Sequence, residues 1–521
     1  MTQRRTIDIW PLAAHTRQMA VLPHFRTCFA GLAAALPGLL ALVLFAVAAA
    51  PVAAGPPDTA ERAAHAVSRL TYGPAPGDIE AVAGMGVAEF IRRQLAPESL
   101  DDPPELARAL AALPTESLDT IRLFREYGPS AAAPGTPPGP EAMRRTFDRA
   151  DVVVLDAAKA RLLRAILSKR QLYELMVAFW SDHFALGGKK GLAYLWAGSF
   201  EREAIRPNAM GKFFDLLAAT AMHPAMLIAR DNWKNIVHRE DGASVREDIN
   251  ATYATALLAN HTLGPGGPQK PADVMALARI LTGWRVGASR ADSDTGGFYF
   301  DVERHDPSDK VFLGRSVKGA GLGEGAQALR ILAEHPATAR TICRKLAVYF
   351  LADDPPAALV ARLADGFVKN GGDIRETLLA LFTSPEFFDP KYLGGRLKPP
   401  LRHVVSAVRA LGGVPTDTAA LAGELAGLGQ PLYAAEGPEG YGVASAGWLK
   451  AEALPRRLAF AGDLAGGRIP GLGLKQQRPS EAALAETLGP TLSPATRQAV
   501  QRTAGDIGAA VILGSPDFMR Y

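Results

Sequence analysis

The chain has 521 residues, of which 57 are Lys or Arg and 53 are Asp or Glu, a formal net charge of +4. This near balance, with no Lys/Arg tract and no interleaving of basic and aromatic residues, argues against a nucleic-acid partner. Cys28 and Cys343 are the only thiols, so a fold of this length must rest on its apolar core and not on disulfide staples.

Residues 1–54 carry Arg4, Arg5, Arg17 and Arg26 against Asp8, then an apolar run from Phe29 to Ala50 that ends in Val52-Ala53-Ala54. The pattern predicts a secretory leader cleaved near Ala54, and hence a periplasmic or secreted protein. An uncleaved leader is the alternative, because about 20 apolar residues can anchor a chain in the inner membrane. Pro37 and Gly38 inside the run favour cleavage. A start at Met19 would give a more compact basic lead-in. Losing this segment removes four cations and one anion and leaves the remainder almost neutral.

Beyond the leader, apolar residues recur at three- and four-residue spacing, which predicts an all-α protein, a multi-helix array with one small β-hairpin near residues 297–313. Early helices are expected over Thr59–Leu70, Asp78–Met85, Val87–Leu95, Pro104–Ala112 and Ser117–Tyr127. Residues 55–127 thus form an N-terminal helical segment. Residues 128–140 contain only Pro, Gly, Ala, Ser and Thr and predict a disordered linker loop. The main helical domain follows over 141–521, with 55–127 packed on it as one unit. Its helices are expected over Glu141–Leu167, Lys169–Phe184, Leu192–Arg206, Asn208–Met222, Val245–Leu263, Pro271–Trp284 and Gly325–Ala333. The series continues over Ala337–Phe350, Pro355–Asn370, Ile374–Phe382, Pro399–Leu411, Thr416–Leu428, Glu452–Ala465, Ser480–Leu488 and Pro494–Leu513. Strands are expected only at Gly297–Val302 and Val311–Leu313, around His305-Asp306-Pro307-Ser308.

Two short motifs repeat. Ser384-Pro385-Glu386-Phe387 is echoed by Ser515-Pro516-Asp517-Phe518, and His223-Pro224-Ala225 by His335-Pro336-Ala337. In the first pair Ser can cap a new helix whose first position Pro fits, and in the second His precedes a helix-opening Pro, so both pairs read as helix junctions. Gly319, Gly321, Gly323 and Gly325 precede a helix, but no βαβ unit follows, which predicts a flexible loop. Arg396, Lys398, Arg402, His403 and Arg409 read as a solvated helix face. Ser445 lacks the Gly-x-Ser-x-Gly elbow of a nucleophilic serine.

Imidazoles and carboxylates together suit divalent ions, so Asp182, His183, Glu203, His261 and His305 are candidate metal ligands. His183, Asp231, His261, His305 and Asp306 are the candidate catalytic groups. No two of them share a helical ligand spacing such as H-E-x-x-H, so a site must be assembled from distant segments. For Asp306, which precedes Pro307, the competing reading is an Asx-turn.

The stretch Asn250-Ala-Thr-Tyr-Ala-Thr-Ala-Leu-Leu-Ala-Asn-His261-Thr-Leu-Gly264 resembles the signature helix of the bacterial family known as domain of unknown function 1800. Further matching pieces are Phe179-Trp180-Ser181-Asp182-His183-Phe184, Glu201-Arg202-Glu203-Ala204-Ile205-Arg206-Pro207, Leu277-Ala278-Arg279-Ile280-Leu281-Thr282-Gly283-Trp284 and Leu428-Gly429-Gln430-Pro431. The resemblance runs from Leu70 to the C-terminal residues. It departs at Ser181 and Asp182, where the family has His and Asn, and at Ala251, Thr255, Ala256 and Ala259, where it has Glu, Arg, Glu and Glu. Positions 251, 255 and 259 lie on one helical stripe, so the missing charges admit two accounts. They were a surface ladder worth about 0.2–0.5 kcal/mol per pair, or part of a chemical site that this chain has emptied. The resemblance supplies no activity. It implies a partner of the domain of unknown function 1501 type, which looks like the phosphatase and sulfatase fold. The resulting expectation is a non-catalytic or catalytically degenerate envelope protein that binds a partner or glycan, with no cofactor. The alternative is a metal-dependent hydrolase.

Overall fold

A computed structural model describes residues 59–129, 140–189, 191–239, 245–287, 297–473, 480–503 and 507–521. The predicted leader and nearly all of the predicted linker lie outside the described residues. Among the described residues no helix is long and apolar enough to cross a membrane.

The fold is all-α with small β ladders, as the periodicity predicts. Helices Thr59–Leu70, Asp78–Met85, Val87–Leu95 and Ile374–Phe382 begin and end at the expected residues. Local chemistry sets such boundaries. Asp373 caps the last of these by accepting from the Glu376 amide at 3.0 Å, and Gly86, at φ 89, closes the second by donating to the Val82 carbonyl.

Both His-Pro motifs are caps of one design. His223 Nδ1 accepts from Ala225 N at 3.1 Å and His335 Nδ1 from Ala337 N at 3.0 Å, each with proline next in the chain. The Ser-Pro pair is less uniform. Phe387 and Phe518 are both buried, and both serines donate back at 2.7 Å, Ser384 to Leu381 O and Ser515 to Ile512 O, but Ser515 Oγ also accepts from Phe518 N at 3.1 Å whereas Ser384 makes no cap.

Several expected helices are interrupted. The span 192–206 divides into Gly191–Leu195, Ala197–Phe200 and a π-helical turn, Glu201–Ile205. The span 245–263 opens as a strand, Val245–Asp248, antiparallel to Ile236–Arg239. Asn250 then accepts from Thr252 N at 2.9 Å, an Asx-turn that starts helix Thr252–Ala256 and its π-helical continuation Leu257–His261. Helix Pro271–Ile280 stops short of Trp284 because Gly283, at φ 75, turns the chain into strand Trp284–Val286. The expected helix 494–513 is described as Pro494–Gln501 and Gly508–Leu513.

The two predicted strands form, as Phe298–Phe300 and Lys310–Phe312, but not with each other. The first pairs with Trp284–Val286 and the second with Arg315–Val317. The segment between them is held by the Asx-turn expected at Asp306, whose Oδ1 accepts from Ser308 N at 2.9 Å, and by His305 Nδ1, which reaches Thr282 O at 2.9 Å. The glycine loop is likewise tied down. Ala320 and Gly321 donate to Glu324 Oε1 at 2.9 and 3.1 Å, so the chain's own carboxylate takes the amides that an anion would.

The stretch read as a solvated face is buried. Arg396, Lys398, Arg402, His403 and Arg409 are all at most 7% exposed. Two of the heads reach backbone oxygens of the first helix and its following turn, Arg402 to Ser68 O at 2.9 Å and Arg409 to Gly73 O at 2.8 Å, while Lys398 donates to Ser406 Oγ at 3.1 Å. One cluster of buried apolar side chains runs from Ala63 to Phe518 around Trp180 and Trp284.

A cap made by a neutral imidazole is pH-dependent. Burial lowers the His335 pKa below 6.5, so its contribution is present above pH 6.5 and is lost as pH falls further. His335→Ala should lose about 1 kcal/mol in urea unfolding at neutral pH while His335→Asn keeps most of it. The gap between wild type and His335→Asn should move in the mutant's favour at pH 5.

Candidate functional site

The helix Gln171–His183 ends with two of the candidates facing opposite ways. His183 points into the core. Its Nε2 donates to His261 O at 3.0 Å and its Nδ1 accepts from Lys345 Nζ at 3.0 Å. The His183 and His261 rings are 6.1 Å apart, with Phe184 5.1 Å from His261. Both imidazoles are held neutral, their pKa values pushed well below 6.5 by burial and then by nearby cations, Lys345 for His183 and Arg230 for His261. His261 has no hydrogen-bond partner on either ring nitrogen among the described residues. This pair therefore meets ammonium and guanidinium groups where a divalent ion would want carboxylates.

The other candidates lie apart. His305 uses both ring nitrogens, Nδ1 on Thr282 O and Nε2 on Glu324 Oε1 at 2.9 Å, and Glu324 is shared with Lys310 at 2.7 Å. Asp306 forms the Asx-turn and takes Arg279 at 3.1 Å. Glu203 accepts from Thr120 and lies 3.5 Å from His223. Asp231 sits half-exposed on a turn at φ 54, paired with Lys234 at 2.7 Å. Among the described residues no group of three or more His, Cys, Asp or Glu side chains is placed to hold a metal ion.

Asp182 turns the other way, into a cleft lined by Arg161, Asp182, Phe184, Glu201, Tyr433 and Tyr441. Three pieces of sequence build it. Helix Pro140–Leu167 carries Arg161, the π-helical turn starts with Glu201, and a long loop between helices Ala419–Gly427 and Ala453–Ala465 supplies the tyrosines. A π-helical turn is a common device for re-aiming a side chain at a site. The loop comes close because Gly440, at φ 70, has no Cβ; one would overlap the Asp182 carbonyl. Tyr433 holds φ 60, a strained conformation for a non-glycine residue.

The charges in the cleft are unequal. Glu201 is ion-paired with Arg161 and with Arg206 at 2.9 Å, and takes Tyr433 OH at 2.8 Å. Burial would raise its pKa, but Arg161, Arg206 and Arg164 outweigh that and hold it at about 2. The Tyr433 ring is 4.4 Å from the Arg161 guanidinium carbon. The Asp182 carboxyl has no hydrogen bond or ion pair among the described residues, and burial, only partly offset by Arg161, pushes it up to about 7. Asp182 was a predicted candidate. Arg161, Glu201, Tyr433 and Tyr441 were not: Glu201 lies in a family-matching piece, but nothing in the spacing joins it to Asp182.

The altered signature helix also has a location. Ala251 and Ala259 are half-buried and Thr255 is exposed, so that stripe faces outward as a ladder would, whereas Ala256 is 5% exposed and faces in.

Breaking the buried pair should unfold the site's frame. Glu201→Gln leaves Arg161 uncompensated and should cost about 3–5 kcal/mol in denaturant unfolding. Asp182 acts oppositely. Its folded pKa lies above its unfolded value, so ionisation opposes folding as pH rises from about 4 towards about 7. Asp182→Asn should therefore melt above wild type at pH 8, with the difference shrinking at pH 5.

No curated protein and no solved structure matches the chain. A family model described as "Protein of unknown function (DUF1800)" matches residues 65–520. With that match spanning the first described helix through the last residues, the chain belongs to the DUF1800 family.

Proposed function

We propose that this chain is an exported binding protein of the cell envelope, and that its Asp182 cleft receives a hydroxyl-rich group such as the end of a glycan. The observation that carries the reading is the Asp182 carboxyl, unpartnered in a cleft and poised near neutrality. A group whose charged form opposes folding is typical of positions where binding or chemistry requires it. Tyr441 adds partly exposed aromatic surface for a sugar ring, and Asp182 is an acceptor for its hydroxyls. Export rests on the basic and apolar pattern of residues 1–54.

Binding is favoured over glycoside hydrolysis by the state of the second carboxylate. Hydrolysis uses two carboxyl groups free to exchange protons or attack. Glu201 is instead clamped by two guanidiniums and a phenol. The metal-dependent hydrolase would need carboxylates around His183 and His261, where Lys345 and Arg230 stand.

The test uses purified residues 55–521 on a glycan array, followed by calorimetry with any hit. Asp182→Ala should weaken binding at least tenfold, about 1.4 kcal/mol. Binding to wild type should strengthen as pH rises through about 7, because the carboxylate is the stronger acceptor, and Asp182→Asn should be flat over that range. Affinity indifferent to Asp182 would sink the proposal. So would stoichiometric metal lost in His261→Ala, which marks a metallohydrolase.

A further inference from the structure

Five cationic side chains that do not line the Asp182 cleft are buried. Arg69 closes the first helix, Arg396 and Lys398 precede helix Pro400–Ala410, Arg402 lies in its first turn, and Arg457 sits on helix Ala453–Ala465; none is more than 4% exposed. Three of them surround one aromatic ring. The guanidinium carbons of Arg402, Arg69 and Arg396 lie 3.9, 4.8 and 5.8 Å from the centre of Tyr521. Each uses Nη2 on backbone carbonyls: Arg69 on Tyr392, Arg396 on Val443, and Arg402 on Ser68, Arg69 and Thr71.

The remaining donors have no partner. Nε and Nη1 of Arg69, Arg396 and Arg402 are buried and unbonded among the described residues. Only Asp353 makes an ion pair with any of the three among those residues, reaching Arg396 at 3.2 Å from a side chain 40% exposed. A buried donor without an acceptor costs about 1–3 kcal/mol, and more when charged. Six such donor nitrogens on three cations, with Asp353 the one side-chain carboxylate paired to them among the described residues, are therefore left unsatisfied. Burial pulls Arg69 down to about 9 even with Tyr521 beside it, and the three cations bring the Tyr521 phenol below its usual value despite its own burial.

We propose that Arg69, Arg396 and Arg402 form a binding site for a phosphate-class oxyanion, either free phosphate or a phosphate monoester, in competition with Asp353. Guanidinium groups match the oxygens of such an ion in geometry and charge, and three of them offer more donors than a carboxylate can accept. Asp353 acts as the resident competitor. Its Oδ1 contacts Arg396 and also accepts from Ser445 N at 2.9 Å, so the carboxylate is held against one of the three cations. This site stands independently of the Asp182 reading.

The experiment titrates inorganic phosphate, and separately glucose 1-phosphate, into purified residues 55–521 at constant ionic strength, by calorimetry and melting temperature. Stoichiometric binding with a raised melting temperature is expected. Asp353→Asn, at the rim and tolerated by the fold, should tighten it by roughly tenfold through loss of the competing charge. Arg396→Met should abolish it. If phosphate binds and glucose 1-phosphate does not, the ligand is the free ion; equal or tighter ester binding assigns an ester. Absence of binding for both probes in wild type and Asp353→Asn overturns the site. Equal phosphate affinity in wild type and Asp353→Asn places the ion elsewhere and overturns it too.

Discussion

The Arg161–Glu201 ion pair, extended through Arg206 to Glu174, is the constraint on which the cleft depends. It joins helix Pro140–Leu167, the π-helical turn at Glu201 and helix Gln171–His183, and through Tyr433 it holds the long loop above them. Pairs this deeply buried contribute little net stability relative to an apolar replacement, because desolvation offsets attraction. Their role is geometric. Once the charges are inside, only the arrangement that pairs all of them is tolerable, and that arrangement leaves Asp182 alone at the edge.

That asymmetry turns two carboxylates in one cleft into different groups. Glu201 is anionic at any physiological pH, while Asp182 changes charge around neutrality. The difference comes from partners more than from burial: three guanidiniums act on Glu201, whereas Arg161, already engaged, is the one that acts on Asp182. The strained Tyr433 and the close approach of Gly440 show that the loop is drawn down onto this frame at some conformational cost.

Elsewhere, the chain manages buried charge by a different route. The His305, Glu324, Lys310 and Asp306 group is mutually satisfied and stitches the β ladders to helix Leu322–Ala333. The cations around Tyr521 rest on carbonyl dipoles and aromatic faces, with a single rim carboxylate. A network that closes on itself reads as architecture. One that leaves donors open reads as a receptor.

Much of the helical order was legible from spacing, since a three- and four-residue apolar period is a local property. The His-Pro helix junctions and the Asp306 turn were equally readable, because each is a matter of a few neighbouring residues. What spacing missed was decided by contacts between distant segments. The basic run 396–409 looks solvated by composition, yet the first helix and the segment 518–521 cover it. The strands at 298–300 and 310–312 were visible, but their partners were not, since pairing depends on where Gly283 turns the chain. The sequence by itself determined the helical class, the boundaries of many of the helices and which family the chain resembles. Only the tertiary structure decided which carboxylate stays unpaired, because a side chain's charge depends on neighbours brought from hundreds of residues away, and local pattern carries no record of them.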